Sequence, residues 1–291
     1  MERKYFYTID HRGNLIHDNT ILEDGEYIDF IYKQLRSNYT DQHYNYPYIA
    51  HCGNEKNYVR ADDTLIIFQR LNEGKLEFAH SLSIDFSREK LFFSREGGLY
   101  HLAPVGGIGR LAPQVVMELS KYIQPFGMYY SYKSPQDKFL RIIEPTLPFE
   151  NKKILRPRLG NRCAGCGQDS PNGLYLSFVF DSKQLTAESW LQADERLEGS
   201  LGIMHGGYVS MLLDEVMGKV LSGMEIKAPT ANLTVRFRKP TPIGKLLHLR
   251  GSLVEVKGRK HFLKGEIFDE NEQLFAEAEG LFIKIKPKET E

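Results

Sequence analysis

Gly202-Ile203-Met204-His205-Gly206-Gly207, running on through Tyr208-Val209-Ser210-Met211-Leu212-Leu213-Asp214, is the stretch whose reading decides the fold. A glycine pair that opens a helix leaves backbone N–H groups uncovered and aimed at whatever lies before the helix. Those donors, with the helix dipole behind them, suit a developing oxyanion. An acid two turns into an apolar helix is costly to bury unless it has a task or a partner. Gly207 and Asp214 share a helix face but stand roughly 10 Å apart at ~1.5 Å rise per residue. One carbonyl therefore cannot touch both on the same helix. If the two act together, the acid serves a site built by a neighbouring copy, which implies a symmetric dimer. The plainer reading of the same residues is a Gly-Gly helix start followed by a satisfied polar side chain.

Outward from this stretch the pattern is consistent. Val209, Leu212, Leu213, Val216, Met217 and Val220 form a wide apolar face at helical spacing, as expected of a helix packed on a sheet. Gly218 marks a close approach and Gly223 the helix end. Glu215 has Lys219 four residues on, which reads as a surface ion pair and leaves Asp214 as the acid for chemistry. Strands are expected before the helix over Gly173–Phe180 and Thr186–Leu191. After it they are expected over Thr230–Arg238, Leu246–Val256, His261–Phe268 and Leu274–Ile285, with turns at Lys257-Gly258-Arg259 and Asp269-Glu270-Asn271-Glu272. One long helix inside a run of antiparallel strands is an α+β layer, helix against curved sheet.

These residues resemble a known family. Cys163-Ala164-Gly165-Cys166-Gly167 with Pro171-Asn172-Gly173-Leu174 resembles the entry strand of hotdog-fold thioesterases. His205-Gly206-Gly207 with Asp214 resembles that family's active-site helix. Thr230-Ala231-Asn232-Leu233 and Phe237-Arg238-Lys239-Pro240-Thr241-Pro242 resemble the strand after it, and Ala276-Glu277-Ala278-Glu279-Gly280 agrees as well. The similarity runs over roughly residues 160–285 and points to the phenylacetate-pathway type and to thioesterase superfamily members 4 and 5. It implies an acyl-CoA thioesterase. The Gly207 N–H, helped by Gly206, would polarise the thioester carbonyl, and Asp214 of the partner subunit would be general base or nucleophile. Thr230 would assist the attacking water, and His205 would shape the loop. Such a base needs partial desolvation and a raised pKa.

A coenzyme A substrate needs cations near its phosphates. Arg236, Arg238, Lys239 and Arg259 (with Lys260 beside it) are the candidates, each of which reads equally as solvated charge on an exposed sheet face. Cys163 and Cys166 form a CxxC, for which a structural turn is the preferred reading. Zinc would need two more ligands, and nothing nearby offers a second pair; a redox motif would open a helix after a strand. No metal and no cofactor beyond the substrate's own coenzyme A are expected, with a metal bridging Cys163 and Cys166 to His51 and Cys52 of the other half left as the alternative.

The rest of the chain is bounded by composition. At 291 residues there is room for two domains. Formal net charge is zero, so no global field favours nucleic acid or an anionic membrane. Met1-Glu2-Arg3-Lys4-Tyr5 begins without an apolar signal core, no apolar run reaches membrane-spanning length, and three cysteines do not make a disulfide scaffold, so a cytoplasmic protein is expected. Pro145, Pro148 and Pro157 with Lys152, Lys153, Arg156 and Arg158 suggest a linker over 146–160, between an α+β domain at 1–145 and a hotdog domain at 161–291. Fourteen of the 16 tyrosines precede residue 150, so the halves are not repeats of one unit.

In the first half, Tyr5–Asp10 and Leu15 onward suggest a hairpin. Glu26–Arg36 and Pro113–Ile123 suggest helices, and Thr64–Leu71, Lys75–Leu82 and Glu89–Ser94 suggest strands. This half resembles, over roughly residues 4–140, an uncharacterised family with a human mitochondrial member. The resemblance is carried by Tyr5-Phe6-Tyr7-Thr8-Ile9-Asp10, Tyr46-Pro47-Tyr48, Cys52-Gly53 through Arg60, and Gly98-Leu99-Tyr100-His101; it implies a boundary and no activity. Asn57, Arg60, Asp62 and Asp63 form a polar cluster that reads either as a site or as a solvated turn. With 17 Lys and Arg against 20 Asp and Glu in residues 1–150, a phosphate-backbone binder is not expected, and the tyrosines read as core and interface residues.

Three functions are compatible with this reading. The first is an acyl-CoA thioesterase working as a homodimer or as a tetramer of hotdog domains. The second is a non-hydrolytic acyl-CoA binding or sensing protein. The third, dehydration of a 3-hydroxyacyl thioester, ranks last because the helix carries no histidine after His205.

Overall fold

In the computed structural model, which describes residues 3–40 and 43–285, the chain forms two units. One is built mostly from residues before 125, with 129–132 and 143–147. The other comprises 126–128, 133–142 and 148 onward.

The first unit is α+β. Its six-stranded sheet has Arg3–Ile9 at the centre, parallel to Glu55–Ala61 and antiparallel to Leu15–His17. The hairpin turn is held by Asp10, whose carboxylate accepts from the Arg12 and Asn14 N–H groups. The first helix is Gly25–Gln34, capped by Asp24, and the second is Pro113–Ser120. The span expected as one strand over Thr64–Leu71 is instead two short ones, Ile67–Phe68 and Arg70–Asn72, in different sheets. Tyr7, Tyr32, Tyr58 and Tyr100 are core residues, whereas Tyr39 and Tyr44 are exposed.

The second unit is the helix-on-sheet layer. Its strands are β1 Lys152–Leu155, β2 Phe178–Asp181, β3 Thr186–Gln192, β4 Thr230–Phe237, β5 Leu246–Lys257, β6 Lys260–Asp269 and β7 Leu274–Ile283, with helix α1 at Gly206–Gly223. They pair antiparallel in the order β1-β2-β3-β5-β6-β7-β4. One long helix laid on a continuous antiparallel sheet is the hotdog architecture. The linker expected over 146–160 contains β1: Leu155 is buried in the core and Lys152 reaches Asp181 at 2.6 Å. The basic residues read as linker because Lys153, alternating outward, is exposed. The strand expected over Gly173–Phe180 pairs only from Phe178, because Leu174 and Leu176 spend their N–H groups on the Ala164 and Gly165 carbonyls.

The apolar face of α1 is buried as its spacing predicts, on Leu247, Leu249, Leu263, Ile267, Ala276 and Phe282. The sheet beneath it is built low. Ala187, Gly251, Gly265 and Ala278 lie side by side on β3, β5, β6 and β7, forming a lane of small residues across four strands. A Cβ on Gly251 would stand 2.5 Å from the Val216 carbonyl oxygen. The helix backbone thus rests almost directly on the sheet backbone.

Candidate functional site

The entry to α1 is fixed by a short hairpin and by the chain beyond β4. Glu198–Ser200 pairs with Ile203–Met204, and His205 N–H donates to the Leu197 carbonyl. Met204 N–H donates to the Thr241 carbonyl (2.8 Å) and Ile243 N–H to the Gly202 carbonyl (3.0 Å), with Ile203 bridged to Pro242. The Pro-Thr-Pro segment therefore holds the loop that presents the helix N-terminus.

His205 is the N-cap, and its ring Nδ1 accepts the Gly207 N–H at 2.9 Å. An accepting Nδ1 leaves the proton of a neutral ring on Nε2. The sequence pointed to Gly207 as the principal donor to a carbonyl, but that N–H is occupied by the cap. The Gly206 N–H has no acceptor among the described residues and, at the first helical position, is one of the donors that a helix leaves unpaired.

Asp214 sits half-buried on α1, and Thr230, the first residue of β4, donates its hydroxyl to Asp214 Oδ1 at 2.7 Å. The structure thus brings Asp214 and Thr230 together within one chain. It keeps them from Gly206, which is eight residues and about 12 Å back along the helix. Gly206 lies instead against the far end of β4, where a Cβ would stand 3.5 Å from the Phe237 ring. The edge strand therefore has the acid beside its first residue, which supplies the hydroxyl, and the open N–H beside its last.

Among the described residues, no strand pairs with the outer edge of β4. Phe237 is 57% exposed at the end of this edge, with Tyr208 exposed nearby in the first turn of α1.

The candidate phosphate cations divide. Arg236, Arg238 and Lys239 lie at the Phe237 end of β4. Arg259, in the β5–β6 turn, is at the Thr230 end, since Lys260 is in register with Ile283 and Thr230 with Phe282. Arg238 Nε donates to Glu277 at 2.8 Å and Arg236 is 3.9 Å from Glu279, so both have carboxylate partners. The Arg238 guanidinium holds the Glu277 carboxyl below its usual range. Lys239 donates to the Gln273 side-chain carbonyl and Arg259 to the Lys284 carbonyl at 3.5 Å.

The sequence missed one cluster. Glu215 pairs with Lys219 as its spacing predicts (3.2 Å), but the side chains are only 14% and 15% exposed, so this is not a surface pair. The CxxC turn packs onto them: Cys163 Sγ donates to Glu215 Oε2 at 3.3 Å, and Lys219 Nζ donates to Cys166 Sγ at 2.7 Å. Burial pushes the Cys166 thiol up to about 12, with Glu215 adding to the rise. Burial opposes the Lys219 charge, yet Glu215 and Cys166 outweigh it and its pKa is raised. The spacing of Glu215 and Lys219 showed the pair, but only folding puts cysteines 52 and 53 residues upstream against it.

In the first unit, Asn57, Arg60, Asp62 and Asp63 do not converge. Asn57 is buried and donates to the Ala50 carbonyl, Arg60 donates to Thr8, and Asp63 pairs with Arg110 at 3.0 Å.

The glycine-paired helix start and Asp214 flank the open edge strand of the hotdog sheet, and all three lie within the stretch that matches a family model. Residues 201–276 match the family described as Thioesterase superfamily, and the C-terminal unit carries that domain. Residues 1–140 match a Domain of unknown function, DUF4505. Among curated proteins, acyl-coenzyme A thioesterase THEM4 of Bos taurus is 33% identical over 100 residues, covering 34% of this chain and 41% of that protein. THEM4 of Mus musculus is 29% identical over 117 residues, covering 40% and 50%. Acyl-coenzyme A thioesterase THEM5 of Homo sapiens is 24% identical, covering 43% and 51%. The chain thus spans about half the length of these relatives. Among solved structures, a thioesterase superfamily protein is 29% identical with a TM-score of 0.37, covering 39% of this chain and 55% of that one. The E. coli PaaI protein is 16% identical with a TM-score of 0.33, covering 34% and 76%.

Proposed function

We propose that the C-terminal unit hydrolyses an acyl-CoA thioester to a free acid and coenzyme A, in a site completed by a second copy of the chain. The observation that carries this reading is the placement of two half-sites at opposite ends of one unpaired edge strand. An open edge of eight residues is a template for another strand. Antiparallel pairing of two β4 edges about a two-fold axis between Leu233 and Thr234 sets Thr230 of one copy opposite Phe237 of the other. Asp214 and Thr230 of one chain then face Gly206 of its partner. The span that separates them within a chain is closed by symmetry, giving two equivalent sites per dimer.

In such a site the Gly206 N–H, at the positive end of the α1 dipole, takes the thioester oxygen as it gains charge. Asp214 of the other copy removes a proton from water as it attacks the carbonyl carbon, or attacks that carbon itself to form an acyl-Asp214 anhydride that water then hydrolyses to the free acid. The tetrahedral intermediate then expels the coenzyme A thiolate. Thr230, bonded to Asp214 Oδ1, fixes the carboxylate and leaves Oδ2 to face the water. His205 orders the first turn rather than acting as base. Lys239 and Arg259, whose partners are neutral, are the cations available to coenzyme A phosphates. No helix among the described residues is long and apolar enough to cross a membrane.

The test is thiol release from a panel of short, long and aromatic acyl-CoAs by wild type and Asp214→Asn, with oligomeric state read by light scattering. Hydrolysis of some members by a dimeric wild type, lost in a dimeric Asp214→Asn, is expected. A folded dimer that releases no thiol from any member, while acyl-CoA raises its Tm, would favour a binding or sensing protein instead.

A further inference from the structure

We infer that Cys163, Cys166 and Glu215 form a binding site for one thiophilic divalent cation, zinc above all, which fastens the CxxC turn to the helix that carries Asp214. The inference is independent of the hydrolytic reading above.

The two sulfurs and a Glu215 carboxylate oxygen all lie within 4.8 Å of one another. Tetrahedral zinc, with bonds of about 2.3 Å to sulfur and 2.0–2.2 Å to oxygen, sets its ligands roughly 3.5–3.8 Å apart. Side-chain shifts of up to about an ångström bring these three onto such a tetrahedron, with water as the fourth ligand. Two thiols select against magnesium and calcium, which prefer oxygen ligands.

Three further features fit a cation. Glu215 Oε1 is buried and makes no hydrogen bond; it lies 3.2 Å from Lys219 Nζ, but without hydrogen-bond alignment. Gly165 lets the turn close on the acid, since a Cβ there would stand 2.9 Å from the Glu215 carboxyl carbon. The charge also balances: one divalent cation and the Lys219 ammonium match two thiolates and one carboxylate. As the two sulfur–metal bonds form, the two thiol protons leave to solvent, so the buried cluster is neutral before and after binding. Lys219 Nζ, 2.7 Å from Cys166 Sγ, is placed to donate to the metal-bound sulfur as an outer partner.

The ion ties segments far apart in sequence. The Ala164 and Gly165 carbonyls hold the chain entering β2, and Glu215 follows Asp214 directly. Loading the site stabilises the helix that presents the acid.

The experiment uses the full chain, kept reduced with a phosphine, stripped with a chelator and titrated with Zn2+ or Co2+ alone. Bound metal is measured by mass spectrometry, and free thiols by a disulfide reagent. We expect one ion per chain, a sulfur-to-cobalt charge-transfer band, and loss of Cys163 from the reactive thiols, Cys166 being buried with or without metal. Metal should also raise the Tm. Cys163→Ser should abolish the band, and Glu215→Gln should weaken binding about ten- to a hundredfold. The wild-type titration stands even if a variant fails to fold. Absence of stoichiometric metal on the reduced wild type would overturn the proposal, as would Cys163 staying fully reactive with metal present. A Cys163–Cys166 disulfide on air exposure of a chain that binds no metal when reduced would do so too, marking the pair as a redox couple.

Discussion

Replacing Gly206 by proline removes one hydrogen atom from the proposed site and almost nothing from the fold. Gly206 is the first residue of α1, where proline is favoured because its missing N–H has no helical partner. A residue before proline prefers extended backbone, and His205 already has φ −62° and ψ 133°. The nearest atoms to a Cβ at Gly206 are Phe237 ring carbons at 3.5 Å, an ordinary contact. The N–H that disappears donates to nothing among the described residues, so stability should change by less than about 1 kcal/mol, towards stabilisation if anything. If that N–H is the oxyanion donor, its loss should cost about 2.7–4 kcal/mol of transition-state binding, a fall in kcat of about 10²–10³-fold. The assay is thiol release at saturating acyl-CoA, with the urea midpoint and dimer mass as controls. A folded, dimeric Gly206→Pro protein with kcat near wild type would refute the assignment of the oxyanion site to Gly206.

Other outcomes follow from the same geometry. Asp214→Asn and Gly206→Pro chains, each inactive as homodimers, should regain about one quarter of wild-type activity after random 1:1 remixing, because half the dimers are mixed and each has one intact site of two; no recovery in verified mixed dimers would place the site within one chain. Thr230→Val removes a hydrogen bond to a charged acceptor, worth about 1.5–3 kcal/mol, so kcat/KM should fall roughly ten- to a hundredfold with dimerisation unchanged. His205→Ala should lower unfolding free energy by about 0.5–2 kcal/mol, the worth of an N-cap, in chemical denaturation, while costing less kcat than Gly206→Pro. Gly251→Ala forces a Cβ to within 2.5 Å of a helix carbonyl, so about 1–3 kcal/mol should be lost; Gly265→Ala, at 3.1 Å, should lose less.

Much of the second unit was legible because its signals are local. The apolar face of α1 follows from 3.6-residue periodicity, and β3 to β7 follow from alternation between turns. The breaks came where non-local bonds override local pattern. Leu174 and Leu176 look like strand residues, yet they donate to the CxxC turn instead of a ladder. Lys152 and Lys153 look like linker residues, yet an antiparallel register with β2 makes them strand.

The chain by itself determined the helix, its glycine-paired start, Asp214 on it and the strands that wrap it, because residue type and spacing set backbone geometry within a few turns. Which glycine keeps a free N–H was decided by the fold, since that turns on where the His205 ring points. So was the pairing of Thr230 with Asp214, sixteen residues apart. The lane of small residues under α1 and the cluster of Cys163, Cys166, Glu215 and Lys219 also depend on register and packing between distant segments. No periodicity encodes such contacts, because their energy appears only once the chain has closed on itself.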